Sequence, residues 1–481
     1  MAASAIKEKI SLGVLVDEKK NKVVFVQAGK DFVDVLLSFL TLPLGTIARL
    51  VCKESNMKKV SIGSLSSLYE SVTNLEAKHF WTDTCKEMLL QPRNSMESCC
   101  QTLKLNIDDT EGKMHFICEN LDCNQQPSGG LLSTFKNQRC KCGDLMNGVI
   151  SPPNSPANEG FVPETATFII SDDLKVKPDD FQNSVCLPIN LAYEDFDAIK
   201  LVTVDITQNE ILDLLKRSLI SKTPLTDVLL VKKQFMENAQ PRSVSDFDIG
   251  EVEAEADFVD FILSFFTFPL GGVEHMLNGN SCLASIDNLY KSIIDLDPCI
   301  YLRSPDLKDK LVKPQLAHKF KLNNQMLPFD EVPIPDYTCY SKKDRNGNVS
   351  CCLTHLRDYG KYSSFAFAPL SYLEPQSSTG EIYSRCGGRG FVKKPSFYMV
   401  TDNLVITPSA TFSVISLLTQ LRIPPSDLEE RVVDIGKKEG LSLLKASLLS
   451  SSTLTNGLRH FLKPTKEENF TKLKIEMPLF S

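Results

Sequence analysis

The hydrophobic positions fall into short runs of two different periods, and each run predicts one kind of element. Leu12–Val16 and Val23–Gln27 are rich in β-forming residues and flank the polar stretch Asp17–Lys22, which predicts a hairpin. Val202–Ile206 predicts a short strand, and Ile211–Ile220 carries its leucines at helical spacing. Because strands and helices mix without the regular alternation of a parallel sheet, we expect an α+β fold.

The two most apolar segments are Phe32–Leu44 and Phe258–Leu270. Each is shorter than the about 20 residues that a membrane-spanning helix needs. We therefore expect two buried helices, and no membrane span. The Pro-Leu-Gly sequence at the end of each segment predicts a stop or kink, because proline lacks a donor and glycine permits a turn.

These two segments belong to an internal repeat. Asp31–Gly45 returns as Asp257–Gly271, and three later blocks follow in the same order at a nearly constant offset. The later blocks pair the following residues: Leu68, Tyr69 and Ser71 with Leu289, Tyr290 and Ser292; Phe161, Val162 and Asp172 with Phe391, Val392 and Asp402; Leu214–Leu219 and Thr226 with Leu443–Leu448 and Thr455. The chain is therefore predicted to be two tandem copies of one mixed unit.

The repeat sets the expected boundaries. We assign residues 1–236 to copy one, 237–256 to an acidic linker and 257–481 to copy two. Ser245–Asp257 contains six acids and neither lysine nor arginine, which is typical of a solvated spacer. The same stretch could instead dock a basic partner. Since the linker occupies the place of the hairpin in copy two, we expect the N-terminal hairpin in copy one only.

Each copy begins its first helix with a repeated pair of acids. We expect Asp31 and Asp257 to be N-caps, and Asp34 and Asp260 to lie in the first turn, where the helix dipole favours negative charge. A catalytic role for the pair is the alternative. The apolar surroundings favour the structural interpretation.

Four cysteines in copy one form the best candidate for chemistry. Cys118 and Cys123 precede Cys140 and Cys142, and two short-spaced thiol pairs on loops can close a tetrahedral zinc site. One pair is at the long limit of the usual spacing and the other is shorter than usual. His115 is a spare ligand. Free, partly buried cysteines are the alternative.

Copy two does not repeat this pattern. It offers Cys339, the doublet Cys351–Cys352 and Cys386, so a zinc ion is expected in copy one only. Cys351–Cys352 with His355 could supply a nucleophile and a base, but neighbours in sequence need not meet in the required geometry. We assign no catalytic residue and no cofactor loop.

Composition narrows the class of partner. The formal charge of −7 and the short, isolated lysine clusters argue against nucleic acid as a partner in the absence of a basic face. Charges at Lys7, Glu8 and Lys9 interrupt any signal peptide. The 15 cysteines are odd in number and scattered, which favours reduced thiols in the cytosol or nucleus.

The repeated blocks resemble a known family. Gly29–Asp34, Leu42–Gly45 and Leu214–Asp227 are similar to a plant family catalogued as domain of unknown function 674, and the similarity runs through both copies. The resemblance implies a plant protein built from tandem repeats and implies no reaction. It also implies a matching set of paired cysteines in the middle segment, at Cys118, Cys123, Cys140 and Cys142.

These features lead to three hypotheses for function. The first is a non-enzymatic binding protein, with a protein partner, built on a duplicated scaffold. The second is an enzyme or small-ligand-binding protein with its site in the cleft between the copies, since pockets favour domain interfaces. The third is a protein or nucleic-acid binder that contains structural zinc.

Overall fold

The computed structural model describes residues 8–53, 60–120, 123, 130–151, 160–180, 198–230, 251–343, 349–355, 367–377, 381–382, 388–394, 396–409, 428–461 and 470–476. It mixes helices and strands, so the α+β prediction is confirmed. No helix among these residues is long and apolar enough to cross a membrane.

The strands are β1 Lys9–Asp17, β2 Lys22–Ala28, β3 His115–Ile117, β4 Gly130–Ser133, β5 Gln138–Arg139, β6 Leu145–Met146, β7 Gly148–Ile150, β8 Phe168–Ser171, β9 Val176–Pro178, β10 Ile199–Thr207, β11 Glu251–Glu255, β12 Tyr337–Lys343, β13 Val349–His355, β14 Phe367–Tyr372, β15 Phe397–Thr401, β16 Ile406–Pro408, β17 Leu428–Asp434 and β18 Phe470–Glu476.

The helices follow the predicted repeat. They are α1 Lys30–Thr41, α2 Leu44–Val51, α3 Leu65–Asn74, α4 Asp83–Leu90, α5 Glu97–Cys100, α6 Gln208–Ile220, α7 Pro224–Leu229, α8 Ala256–Ser264, α9 Leu270–Met276, α10 Ile286–Asp295, α11 Pro298–Tyr301, α12 Asp306–Val312, α13 Lys437–Leu449 and α14 Thr453–Gly457. The apolar segments Phe32–Leu44 and Phe258–Leu270 are buried helical regions, as predicted.

Copy one has a five-stranded antiparallel sheet in the order β10-β1-β2-β8-β9. Strands β1 and β2 form the predicted hairpin, and β2 continues the sheet by pairing with β8. Copy two has a matching sheet in the order β16-β15-β11-β18-β17. In copy one, Val26 of β2 pairs with Ile170 of β8. At the equivalent positions of copy two, Val252 of β11 pairs with Val400 of β15, so β11 corresponds to β2.

The position of β11 corrects the predicted linker at residues 237–256. Residues 251–255 are a paired strand, while 237–250 lie outside the described residues. Val252 and Ala254 are buried, and Glu255, the last residue of the strand, is exposed. A strand turns successive side chains to opposite faces, so two small apolar residues suffice to bury one face of an acidic segment. The many acids of this segment therefore obscured the alternation of apolar and acidic residues that is typical of a strand.

A strand from the end of the chain fills the remaining place in the copy-two sheet. Strand β18 pairs in parallel with both β11 and β17, at the position that β1 holds between β2 and β10. In copy one, β1 is antiparallel to both of its neighbours. Among the described residues the hairpin is therefore confined to copy one, and copy two completes its sheet with a distant segment.

The two copies are interlocked by reciprocal contacts. Helix α3 of copy one reaches copy two, where the Ile406 N–H donates to Ser71 Oγ at 2.8 Å. Helix α10 of copy two makes the same contact with copy one, where the Val176 N–H donates to Ser292 Oγ at 3.0 Å. The repeated serines therefore bind the opposite copy.

The Pro-Leu-Gly segments meet where the copies cross. The Leu44 N–H donates to the Phe268 carbonyl oxygen, and the Leu270 N–H donates to the Leu42 carbonyl oxygen, each at 2.9 Å. A Cβ atom on Gly271 would lie 3.0 Å from the Leu40 carbonyl oxygen, so glycine permits this close approach. The sequence predicted a helix stop here, and the structure adds an inter-copy contact.

The repeated acids hold separate blocks of each copy together. Asp34 Oδ1 accepts the N–H groups of Phe161 and Val162 at 2.8 and 2.9 Å, and Asp260 Oδ1 accepts those of Phe391 and Val392 at 2.7 and 3.0 Å. The predicted N-caps are wrong. The caps are Gly29 and Glu255, two residues earlier than predicted. Asp31 and Asp257 therefore lie inside the first turn, and the predicted first-turn residues Asp34 and Asp260 lie just beyond it.

A third, six-stranded sheet joins the middle segments of both copies. Its order is β13-β12-β14-β4-β3-β7, with three strands from each copy. Strand β4 of copy one and β14 of copy two form its central, parallel pair. The four candidate cysteines lie beside this sheet.

Candidate metal centre

Strand β3 and the β5–β6 hairpin position the four cysteines of copy one. Cys118 follows β3 directly, and Cys123 lies five residues further along the chain. Cys140 and Cys142 occupy the turn that joins β5 to β6. The turn is closed by the Cys140 N–H donating to the Asp144 carbonyl oxygen at 2.9 Å. Gly143 takes a φ of +95° there, a conformation that glycine adopts without strain.

This arrangement brings the four sulfur atoms together. All four lie within 4.8 Å of one another, and Cys118 Sγ is 3.5 Å from Cys142 Sγ. In a tetrahedral zinc site with Zn–S bonds of about 2.3 Å, the sulfurs are about 3.8 Å apart. The observed separations therefore suit a zinc ion with four thiolate ligands. The unusual spacings along the chain do not prevent closure, because a tight turn brings Cys140 and Cys142 side by side.

The four thiols differ in environment. Cys118 and Cys140 are buried, Cys123 is half-buried and Cys142 is exposed. The backbone N–H of Asp144 lowers the pKa of Cys142, whereas burial raises the pKa of Cys118. The neighbouring Cys142 raises the pKa of Cys123 to about 11. Protonated thiols at this distance hydrogen-bond to one another, and a bound metal ion would replace the thiol protons.

Side chains from both copies pack against the cysteines. Phe116, Leu131 and Met146 of copy one are joined by Leu373 of copy two, whose N–H donates to the Leu132 carbonyl oxygen at 2.8 Å. The cluster is therefore at the seam between the copies. A metal held there would tie the β5–β6 hairpin to the shared sheet.

His115 is not part of the cluster, which corrects its prediction as a spare ligand. His115 and Ile117 point to one face of β3, and Phe116 and Cys118 point to the other. Residues three apart on a strand lie on opposite faces. The imidazole packs edge-on against Tyr337, with ring centroids 5.5 Å apart, and burial lowers its pKa to about 3.

The cysteines of copy two form no comparable group among the described residues. Cys339 is buried in β12, where its backbone lies opposite Leu353 of β13. Cys352 is half-buried, and Cys386 lies outside the described residues. Strand β13 carries both Cys351 and His355, and these positions are four apart on one extended strand. A strand rises about 3.3 Å per residue, so this backbone does not bring the two residues together.

Sequence patterns missed a second buried polar group on the other face of the shared sheet. Lys319 of copy two is fully buried, and His115, Tyr372 and Glu374 are also buried. No motif marks Lys319, since a single lysine in an irregular segment is ordinarily exposed. Its positive φ of 73° has no sequence signal either, because only the tertiary structure sets it.

Comparison with known protein families identifies a matching family model. A family model described as protein of unknown function (DUF674) matches residues 6–251 and again residues 242–438. The two matches agree with the internal repeat. No curated protein and no solved structure is similar to the chain.

Proposed function

This chain belongs to the family described as protein of unknown function (DUF674), and we propose that it is a non-enzymatic binding protein whose duplicated scaffold is stabilised by one structural zinc ion. The observation that carries the proposal is the set of four cysteine sulfurs within 4.8 Å of one another. Cys118, Cys123, Cys140 and Cys142 would hold the ion. Bound there, zinc would supply structural cross-linking.

The donor set favours structure over catalysis. Catalytic zinc sites keep one coordination position open for water or substrate, whereas four protein thiolates fill the tetrahedron. The turn at Gly143 and the packing of Leu373 fix the positions of the sulfurs without leaving a ligand to exchange. We therefore assign the ion to the seam between the copies rather than to a reaction.

The repeated acids support a scaffold as well. Asp34 and Asp260 bind backbone N–H groups, and Asp172 accepts both the N–H and the hydroxyl of Thr226 at 2.8 Å. Asp402 binds Thr455 in the same way. What the duplication preserved is thus a set of internal contacts. The proposal includes a protein partner, a plant source and a cytosolic or nuclear location, where reducing conditions keep thiolates available.

The zinc site is tested by native mass spectrometry of freshly purified protein, with and without a chelator. We expect an excess mass of one zinc per chain that is lost in Cys140→Ser and kept in Cys299→Ser, since Cys299 is exposed and away from the cluster. Adding zinc at a thousand times its dissociation constant should stabilise the wild type by about 4 kcal/mol. Thermal unfolding measures this gain.

A bare chain mass under conditions that preserve metal, with the same melting temperature before and after chelation, would contradict the zinc site. Equal metal content in wild type and Cys140→Ser would place the metal elsewhere. A partner protein is tested separately, by whether a purified candidate binds the immobilised full chain at micromolar concentration. Turnover of a small molecule by the purified chain would overturn the non-enzymatic part of the proposal.

A further inference from the structure

Lys319 carries a buried amine that no side chain of the described residues pairs with. Its side chain is 0% exposed, and Nζ lies 4.4 Å from the centroid of the Tyr372 ring. Among the described residues, no hydrogen-bond acceptor or ion-pair partner lies within reach of Nζ. Burying an unpaired ammonium group costs a large free energy, so a protonated Lys319 would need an anion beside it.

Neighbouring charges add to the cost of protonating Lys319. Burial lowers the pKa of Lys319 most, and Lys113 and Arg93 lower it further. Glu374 and Glu331 oppose this with smaller effects. Arg93 Nη1 is buried and has no hydrogen-bond partner within the part of the chain that the structure describes, while the other terminal nitrogen of Arg93 donates to the Thr134 carbonyl oxygen at 2.7 Å. Arg93, Lys113 and Lys319 form what we call the cationic cluster.

Neutral polar groups around the cluster are also unsatisfied. Both ring nitrogens of His115 and the hydroxyl of Tyr372 are buried and find no hydrogen-bond partner in the described ranges. The rings of His115 and Tyr372 lie 6.5 Å apart, so these atoms border the same region as Lys319 Nζ. Buried polar groups normally have hydrogen-bond partners, so several unpaired groups in one place indicate that a bound molecule pairs with them.

We propose that the cationic cluster binds a small oxyanion, a carboxylate- or phosphate-bearing molecule, at the junction of the two copies. Arg93 and Lys113 come from copy one and Lys319 from copy two, so the site exists only where the copies meet. The anion would accept from Lys319 Nζ and Arg93 Nη1, with His115 and the Tyr372 hydroxyl as further donors.

An oxyanion accounts for these groups better than water does. Water can pair with buried dipoles, but it supplies no charge to oppose a protonated Lys319, whereas Glu97 already opposes Arg93 and Lys113. Charge-assisted hydrogen bonds to carboxylate or phosphate oxygens are about twice as strong as neutral ones. The site does not depend on the zinc ion: His115 and Cys118 lie on opposite faces of β3, so loss of metal and loss of anion binding are separate results.

The test is titration calorimetry on the full chain with sodium phosphate and with sodium citrate, at constant ionic strength. We expect saturable binding of at least one of them, and the stronger of the two identifies the class of ligand. Lys319→Met should weaken that binding at least tenfold. Lys136→Met should bind as the wild type does, because Lys136 is exposed.

Stability distinguishes a lost site from a lost fold. Lys319→Met removes an unpaired buried charge, so in anion-free buffer it should melt at or above the wild-type temperature. If Lys319→Met does not fold, Lys113→Met serves in its place and should weaken the same binding. The absence of saturable binding in the wild type, or wild-type affinity in a folded Lys319→Met, would overturn the proposal.

Discussion

Replacing Asp260 with alanine should lower the free energy of unfolding by about 2–6 kcal/mol, because two buried N–H groups at about 1–3 kcal/mol each would lose their acceptor. Those groups belong to Phe391 and Val392, which Asp260 Oδ1 accepts at 2.7 and 3.0 Å. Urea unfolding of the full chain measures the change. Asp257→Ala is the matched control, since Asp257 is only half-buried and lies one turn earlier.

Asparagine at the same position should behave differently. Burial raises the pKa of Asp260 to about 7, and Asp260 Oδ2 has no hydrogen-bond partner among the described residues. Asparagine keeps the accepting oxygen and carries no charge, so Asp260→Asn should unfold within about 1 kcal/mol of the wild type. The folded-state pKa lies above the ordinary value of 3.8, so between pH 4 and 7 the carboxyl is ionised in the unfolded chain but still protonated in the folded one. The wild type therefore loses stability as the pH rises through this range.

The advantage of asparagine should therefore grow over that pH range and level off above it. The equivalent change in copy one should not share this advantage. Lys30 Nζ lies 2.7 Å from Asp34 Oδ2, so Asp34→Asn breaks a largely buried ion pair, whereas copy two has Ala256 in place of the lysine. Equal losses for Asp260→Ala and Asp260→Asn would contradict the assigned role of Oδ1.

Copy one alone, residues 1–236, should fail to form a folded monomer. Its helix α3 binds copy two through Ser71, and its strand β4 pairs with β14 of copy two. Leu42 and Leu44 are buried against Phe268 and Leu270. Separation would expose these apolar faces to water at about 25 cal/mol for each Å². Size-exclusion chromatography and circular dichroism of the fragment measure the result.

Co-expression with residues 237–481 is the control for that fragment. The two halves should copurify in a one-to-one complex that melts cooperatively, because the contacts at the seam do not require a covalent link. The Leu44–Phe268 and Leu270–Leu42 hydrogen bonds are among these contacts. A monomeric copy-one fragment with cooperative thermal unfolding would show that the interlock is dispensable.

The cysteine cluster shows how much of a metal site can be predicted from residue type and spacing alone. Residue type and order identified Cys118, Cys123, Cys140 and Cys142, and the structure brings their sulfurs within 4.8 Å. His115 could not be excluded by the same reasoning, since the face that it occupies depends on β3 being a strand. The cationic cluster was invisible in the sequence, because its residues come from distant segments of two copies.

The acidic segment shows the converse limit. Ser245–Asp257 has the composition of a solvated spacer, yet Val252 and Ala254 anchor a strand between β15 and β18. A short strand carries too few apolar positions to stand out from its charges. Its pairing energy comes from partners more than a hundred residues away along the chain.

The sequence by itself determined the duplication, the α+β class, the buried helices and the cysteine set, because each of these is recorded in local periodicity or in repeated residues. Only the tertiary structure decided that Ser71 and Ser292 bind the opposite copy, and that β18 completes the copy-two sheet. It also placed Lys319 among the charges of copy one. These outcomes depend on which surfaces are buried together, and burial is a property of the assembled copies rather than of any one segment.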